Sequence, residues 1–217
     1  MSTSRVKFYW ESRGEHYQFE NNKRYLIYYR GCFCAPHRGH FNTIADFTYL
    51  PNANFFVHQG GNERRHGVPY KLSRKIWKIY IHELLPKDKF VLMGRGRHEE
   101  MDMADHPYTQ EADVVVFIAG NENYDPAEKE YEDINHKYRD IFKKLLRRGK
   151  EIIFLYLDRP KQSTLSATQL SKSIRSNRYY SSRDERKYKN LRPFFPEKLS
   201  DKGIKYIVRK LEECNLR

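Results

Sequence analysis

Only three cysteines occur in 217 residues, Cys32, Cys34 and Cys214. They are too few and too unevenly spaced for a disulfide framework, and a Cys-x-Cys lacking a second ligand pair is not a zinc motif. No protein metal site is therefore expected, and a reducing, cytoplasmic compartment is. Long apolar runs are also missing: nothing approaches the roughly 18 residues that span a bilayer, and Met1-Ser2-Thr3-Ser4-Arg5 opens without an apolar signal-peptide core. The expectation is a soluble chain with no membrane partner. Acidic residues are the third scarcity, with 28 Asp+Glu against 41 Lys+Arg and a net charge of +13. That balance argues for polyanionic partners, among which a nucleoside triphosphate, a phosphorylated acceptor and nucleic acid are all candidates.

What is present begins with an apolar run, Tyr25-Leu26-Ile27-Tyr28-Tyr29. It is followed by Gly31-Cys32-Phe33-Cys34-Ala35-Pro36-His37-Arg38-Gly39-His40 and then by a helical pattern from Phe41 to Asp46. Two histidines and two glycines thus sit where a strand becomes a helix. A helix N-terminus carries unpaired N–H donors and about half a positive charge, so such a turn attracts an anion. Gly31 and Gly39 would let backbone approach a ligand closely. His37 and His40, three residues apart, share one face of the first turn if the helix starts near Arg38. The alternative is two surface histidines, or a core histidine bonded to backbone.

The segment resembles the signature of the HxGH nucleotidylyltransferase superfamily, G-x-F-[DN]-P-x-H-x-G-H, at Gly31, Phe33, His37, Gly39 and His40. Cys34 stands where members carry Asp or Asn, and the proline is displaced by one position to Pro36. After the strand-like run Glu151–Leu157, the stretch Leu165-Ser166-Ala167-Thr168-Gln169-Leu170 resembles the family's second element, I-S-[SA]-T-x-[IV]-R, with Ser171 in place of its arginine. The cationic role would then move to Lys172 or Arg175. Read without the family, Ser166 is an ordinary helix N-cap.

The resemblance implies transfer of a nucleoside monophosphate from a triphosphate to a phosphorylated small molecule, with pyrophosphate released. ATP is favoured and CTP is the alternative, and nicotinamide mononucleotide is the leading acceptor. His40 would donate to the α-phosphate and His37 to its neighbours; Ser166, Ala167 and Thr168 would hold the distal phosphates. Gly31, Cys32, Phe33 and Gly39 would line the nucleotide. Gly120-Asn121-Glu122 would stand where members reach the ribose. Mg²⁺ is implied as a passenger on the triphosphate. Arg64 and Arg65 after the second strand, and Arg74 in the next helix, are candidate clamps for an acceptor phosphate, or simply surface charge.

Alternating strand-like and helix-like segments predict a single α/β domain over 1–217, with an accessory hairpin in 1–23, a catalytic core in 24–178 and a basic segment plus helix in 179–217. In the hairpin, Val6, Phe8 and Trp10 alternate, then Tyr17 and Phe19. The core is expected to be a Rossmann-like, doubly wound sheet of five parallel strands, which the resemblance orders 3-2-1-4-5. Ser73 reads as the cap of a helix through Leu85. Asp125–Gly149 reads as a helix with an apolar stripe, and Ser200 as the cap of the last helix. The basic, tyrosine-bearing stretch between Arg175 and Lys189 keeps nucleic acid open as a secondary partner. A homo-oligomer and a member that binds nucleotide without turnover also stay open.

Overall fold

Val6, Phe8 and Trp10 alternate as a strand should, and in the computed structural model they form one, β1 (Val6–Trp10). The structure describes residues 5–60, 67–94, 103–120, 140–157, 165–177, 185–214 and 216. Five further strands follow: β2 (Tyr25–Gly31), β3 (Ala53–Gln59), β4 (Phe90–Met93), β5 (Val114–Gly120) and β6 (Glu151–Leu157). The sheet has six strands in the order β1-β6-β5-β2-β3-β4, in place of the five expected. Its extra member is β1, which is no hairpin arm. It runs parallel to β6, with Phe8 opposite Phe154 and Trp10 opposite Tyr156. The physical reason is aromatic pairing across the strands: Phe8 and Phe154 stack at 5.0 Å, and Trp10 and Tyr156 at 5.1 Å. Tyr17 and Phe19, the expected second arm, lie in irregular chain and pack edge-on around Tyr25.

The helices are α1 (Arg38–Ala45), α2 (Tyr70–Leu84), α3 (Pro107–Glu111), α4 (residues 140–147), α5 (Ala167–Ser176), α6 (Glu185–Leu191) and α7 (Asp201–Glu212). Two compact units emerge. The first comprises Met1–Arg30, Pro51–His58 and Met93–Pro160; the second comprises Gly31–Leu50, Gln59–Leu92 and Lys161–Arg217.

In the first unit, β1, β6, β5 and β2 are mutually parallel, with Val114 opposite both Glu151 and Tyr25. β2, β5 and β6 read as unbroken apolar runs because both faces are covered; Leu26, Ile27, Val115, Val116, Ile152 and Ile153 are all fully buried. Ile141 and Leu145 of α4 are buried as expected, and Gly149 (φ 76°) takes the left-handed conformation that ends a helix. The earlier part of that expected helix, residues 125–139, lies outside the described residues.

In the second unit, α2 starts at Tyr70 behind Pro69, not at Ser73, which is buried three residues inside the helix. Proline fixes φ and needs no N–H partner, so it suits the position before the first turn. α7 is capped as expected: Ser200 Oγ accepts from Gly203 N–H at 3.0 Å. It buries Ile204, Ile207, Val208 and Leu211. Beside it Lys187 of α6, 3% exposed, forms an ion pair with Glu212.

Candidate nucleotide-binding site

The loop that leaves β2 is held in an unusual conformation. Phe33 has φ 43°, a left-handed backbone that a bulky residue rarely adopts. Its ring offsets that cost: it is 3% exposed and meets Trp77 of α2 and His40 of α1 edge-on, each at 5.1 Å. The ring also folds over Gly31, where a Cβ would lie 2.5 Å from Phe33 Cε1. Gly31 is therefore glycine because Phe33 occupies the space. The loop is tied down again by Tyr80, fully buried, whose hydroxyl donates to the Pro36 carbonyl at 3.0 Å. Burial holds that hydroxyl protonated, well above the usual phenol range.

α1 begins at Arg38, as the histidine spacing requires, and its N-cap is His37. Nδ1 of His37 accepts from the Gly39 N–H at 3.1 Å, satisfying one of the orphan donors of the first turn. In that bond Nδ1 carries no proton, so the neutral ring carries its proton on Nε2, which makes Nε2–H the ring's donor. The ring lies against Gly39, where a Cβ would stand 2.9 Å from Cε1. His37 is 4% exposed, and its imidazole centroid is 3.9 Å from that of the half-buried His40. The histidine pair is thus packed as a unit.

The second expected element starts α5. Ser166 is the N-cap, and its Oγ accepts from the Gln169 N–H at 3.2 Å. The two elements belong to the same unit and adjoin: a Cβ on Gly39 would lie 3.9 Å from the Leu165 carbonyl oxygen, one residue before that cap. Two helix N-termini remote in sequence are therefore neighbours. Ala167 is half-buried, while Thr168, Lys172 and Arg175 are exposed and recur at helical spacing of four and three, along one face of α5. Ser171, in the place of the family's arginine, is 1% exposed, and its hydroxyl has no hydrogen-bond partner among the described residues. Lys172 and Arg175, beside it on the same helix, are exposed.

The remaining expected residues are distributed as follows. Cys32 is exposed and Cys34 buried; both are free thiols, as is Cys214. Arg74 donates to the Leu92 carbonyl at 2.9 Å. Gly120 is the last residue of β5 in the first unit. Arg64, Arg65, Asn121 and Glu122 lie outside the described residues. No group of three His, Cys, Asp or Glu side chains placed to hold a metal ion occurs among the described residues, and no described helix is long and apolar enough to cross a membrane.

Sequence reasoning missed Trp77, Tyr80 and the Arg38–Glu197 ion pair (2.5 Å), which brace the loop and the start of α1. The apolar stripe of α2 marks Trp77 and Tyr80 as buried but does not say what they support.

No protein-family model matches this chain, and no curated protein does. Four of the solved structures similar to this chain are 10–13% identical to it. One is a candidate nicotinate-nucleotide adenylyltransferase from Vibrio parahaemolyticus, with a TM-score of 0.48 and 10% identity over 85% of this chain and 99% of that one. The nicotinic acid mononucleotide adenylyltransferase of Plasmodium falciparum, complexed with NaAD, has a TM-score of 0.47 and 12% identity over 88% and 98%. Thermotoga maritima TmcAL, bound with alpha-thio ATP, has a TM-score of 0.46 and 12% identity over 88% of this chain and 56% of that one.

Proposed function

We infer that this chain is a nucleotidyltransferase that moves a nucleoside monophosphate, AMP in first place, from a triphosphate to a phosphorylated small-molecule acceptor and releases pyrophosphate. The observation that carries the reading is the adjacency of the two helix N-termini, with a histidine pair on one and a serine cap on the other. A helix N-terminus carries partial positive charge, and two of them side by side would suit a chain of phosphates.

In the reaction an oxygen of the acceptor phosphate attacks the α-phosphorus. The bond from that phosphorus to the α–β bridging oxygen breaks, and pyrophosphate departs with the electron pair. The nucleophile is already anionic, so the protein's task is to align it and to stabilise charge on the α-phosphate oxygens. His40 donates to one of those oxygens. His37, through Nε2–H, holds an adjacent phosphate. Ser166 keeps its O–H as a donor while its oxygen caps α5, and with Thr168 it holds the β and γ groups. Lys172 and Arg175 supply the charge that Ser171 cannot. Magnesium enters as part of the substrate, chelated by the triphosphate, and needs no carboxylate cage of the protein's own.

Nicotinamide mononucleotide leads as acceptor, with Arg64, Arg65 and Arg74 as the candidate clamp on its phosphate. A cytoplasmic location rests on three free thiols, which a reducing compartment preserves.

Pyrophosphate release, measured with ATP or CTP against a panel of phosphorylated acceptors, tests the reading. His40→Ala should lower turnover by about 10²–10³-fold, beyond any loss of folded protein seen in a thermal melt, since the lost group acts on developing charge. Undiminished turnover in that variant removes His40 from the mechanism. Nucleotide binding without pyrophosphate release on any acceptor would mark a non-catalytic binder.

A further inference from the structure

The positive charge of this chain is confined to one of its units. The second unit carries 24 Lys+Arg and 10 Asp+Glu, a net of +14; the first carries 17 and 18, a net of −1. A nucleotide's phosphates would engage few of those cations, and many lie on helices outside the motif loops.

Two of those helices present exposed stripes. Lys71, Lys75 and Lys78 recur along α2 at spacings of four and three, and Lys202, Lys205 and Arg209 recur along α7 at three and four. The stripes meet at tyrosines. Lys75 Nζ lies 4.7 Å from the Tyr206 ring centroid and Arg209 Cζ lies 5.9 Å from it, while Lys205 Nζ lies 5.5 Å from the ring of Tyr188 on α6. None of the six cations is ion-paired among the described residues. Of the nearby acids, Glu83 accepts from the Ser200 N–H, Glu212 pairs with buried Lys187 and Glu213 pairs with Lys210, which leaves Asp201, exposed in the first turn of α7, as the acid on the same helix as Lys202 and Lys205. Six cations on adjoining helices, with Asp201 the acid among them, leave a net positive charge that repels itself, and a polyanion would relieve that repulsion.

The chemistry selects among polyanions. Flat amphipathic rings set between cations suit bases that stack while phosphates pair, whereas an acidic peptide offers no ring for Tyr188 and Tyr206 to meet. A lipid surface would need apolar anchors. Among the described residues Tyr49 is the one large hydrophobic side chain that is strongly exposed, at 69%, and the apolar face of α7 is buried. We propose that the face built by α2, α6 and α7 binds a nucleic-acid strand, its phosphates on the two cationic stripes and its bases on Tyr188 and Tyr206. The proposal is independent of the transferase reading, because none of these residues belongs to that machinery.

Fluorescence anisotropy of the full chain with labelled single-stranded RNA and DNA of one mixed sequence, about 20 nucleotides long, tests it between about 50 and 200 mM salt. The variant Lys75→Gln/Lys205→Gln/Arg209→Gln should lose at least about tenfold in affinity, and the slope of log K against log salt should become shallower by about 2, near 0.7 per lost phosphate contact. A control that removes the same charge from the first unit, Arg13→Gln/Lys143→Gln/Arg147→Gln, should bind like wild type. Tyr206→Leu should weaken the oligonucleotides but not inorganic polyphosphate. Binding of either strand with this pattern supports the surface, RNA and DNA arms telling which is preferred. The proposal is overturned if wild type binds neither strand, if both triple variants lose equally, or if polyglutamate or phosphatidylserine vesicles compete as well as oligonucleotide. Thermal melts confirm that each variant folds. Pyrophosphate release with small acceptors is read separately, so failure of one reading leaves the other standing.

Discussion

Replacing Gly39 by alanine separates two explanations of the same glycine. If the position serves close approach of a ligand, alanine should weaken triphosphate binding and leave folding alone. The structure gives a different reason: the new Cβ would lie 2.9 Å from Cε1 and 3.1 Å from Nδ1 of the His37 ring. Contact below 3.0 Å forces a shift, and His37, buried and bonded to the Gly39 N–H, has little room to give. Displacing a packed ring costs roughly 1–3 kcal/mol, and losing the cap costs about 1 kcal/mol. Alanine returns up to about 1 kcal/mol through helix propensity. The net expectation for Gly39→Ala is a loss of about 2 kcal/mol. In a His37→Ala background the obstruction and the cap are both absent, so the same substitution should become neutral or stabilising by up to about 1 kcal/mol. Urea unfolding followed by circular dichroism on the four proteins of this cycle should give a coupling near 2–3 kcal/mol. Effects of Gly39→Ala that agree within about 0.5 kcal/mol in the two backgrounds would refute the packing argument.

Gly31→Ala should be at least as costly, about 2–3 kcal/mol, because its Cβ would meet Phe33 Cε1 at 2.5 Å and that ring is wedged between Trp77 and His40; a wild-type melting temperature would contradict this. Lys172→Ala and Arg175→Ala should raise the triphosphate concentration needed for half-maximal pyrophosphate release, and if neither does, the displaced-cation idea fails. His106 caps α3 by accepting from the Tyr108 N–H through Nδ1, and burial lowers its pKa, so the folded state favours the neutral ring. Its stabilising contribution is complete above the unfolded value near 6.5 and fades as pH falls through the lowered folded value. His106→Asn, which keeps a capping oxygen but does not titrate, should flatten the dependence of unfolding free energy on pH in that window, and an unchanged slope would remove His106 as its source.

How far the chain could be read before its structure depended on whether a feature is local. The starts of α1, α5 and α7 were legible because capping is decided within four residues: His37, Ser166 and Ser200 each accept from a backbone N–H two or three positions on. The buried strands were legible from unbroken apolar runs. The partner of β1 was not, since period-two alternation announces a strand and says nothing about its neighbour. That choice was made by Phe154 and Tyr156, far along the chain, which offer stacking that a hairpin with Tyr17 and Phe19 would forgo. Ser73 misled because serine is a common cap, yet Pro69 already supplied the stronger local signal.

The histidine motif was recognisable, and the structure adds a packing reason for its glycines. Glycines beside histidines invite the inference that backbone must come close to a ligand. The structure fills both spaces from within: Phe33 covers Gly31, His37 covers Gly39, and each ring also rests on His40. The consequence for chemistry is favourable. A donor that must be found and oriented when a phosphate arrives loses rotamer entropy at that moment, about 0.5–1.5 kcal/mol for a flexible side chain. Here Nδ1 of His37 is already fixed on a backbone N–H and the strained turn at Phe33 is already clamped by Trp77, so that cost is met during folding. Under the transferase reading proposed above, a motif packed on itself in this way would serve as a preorganised donor set, which is what stabilising charge on a transferring phosphoryl group demands.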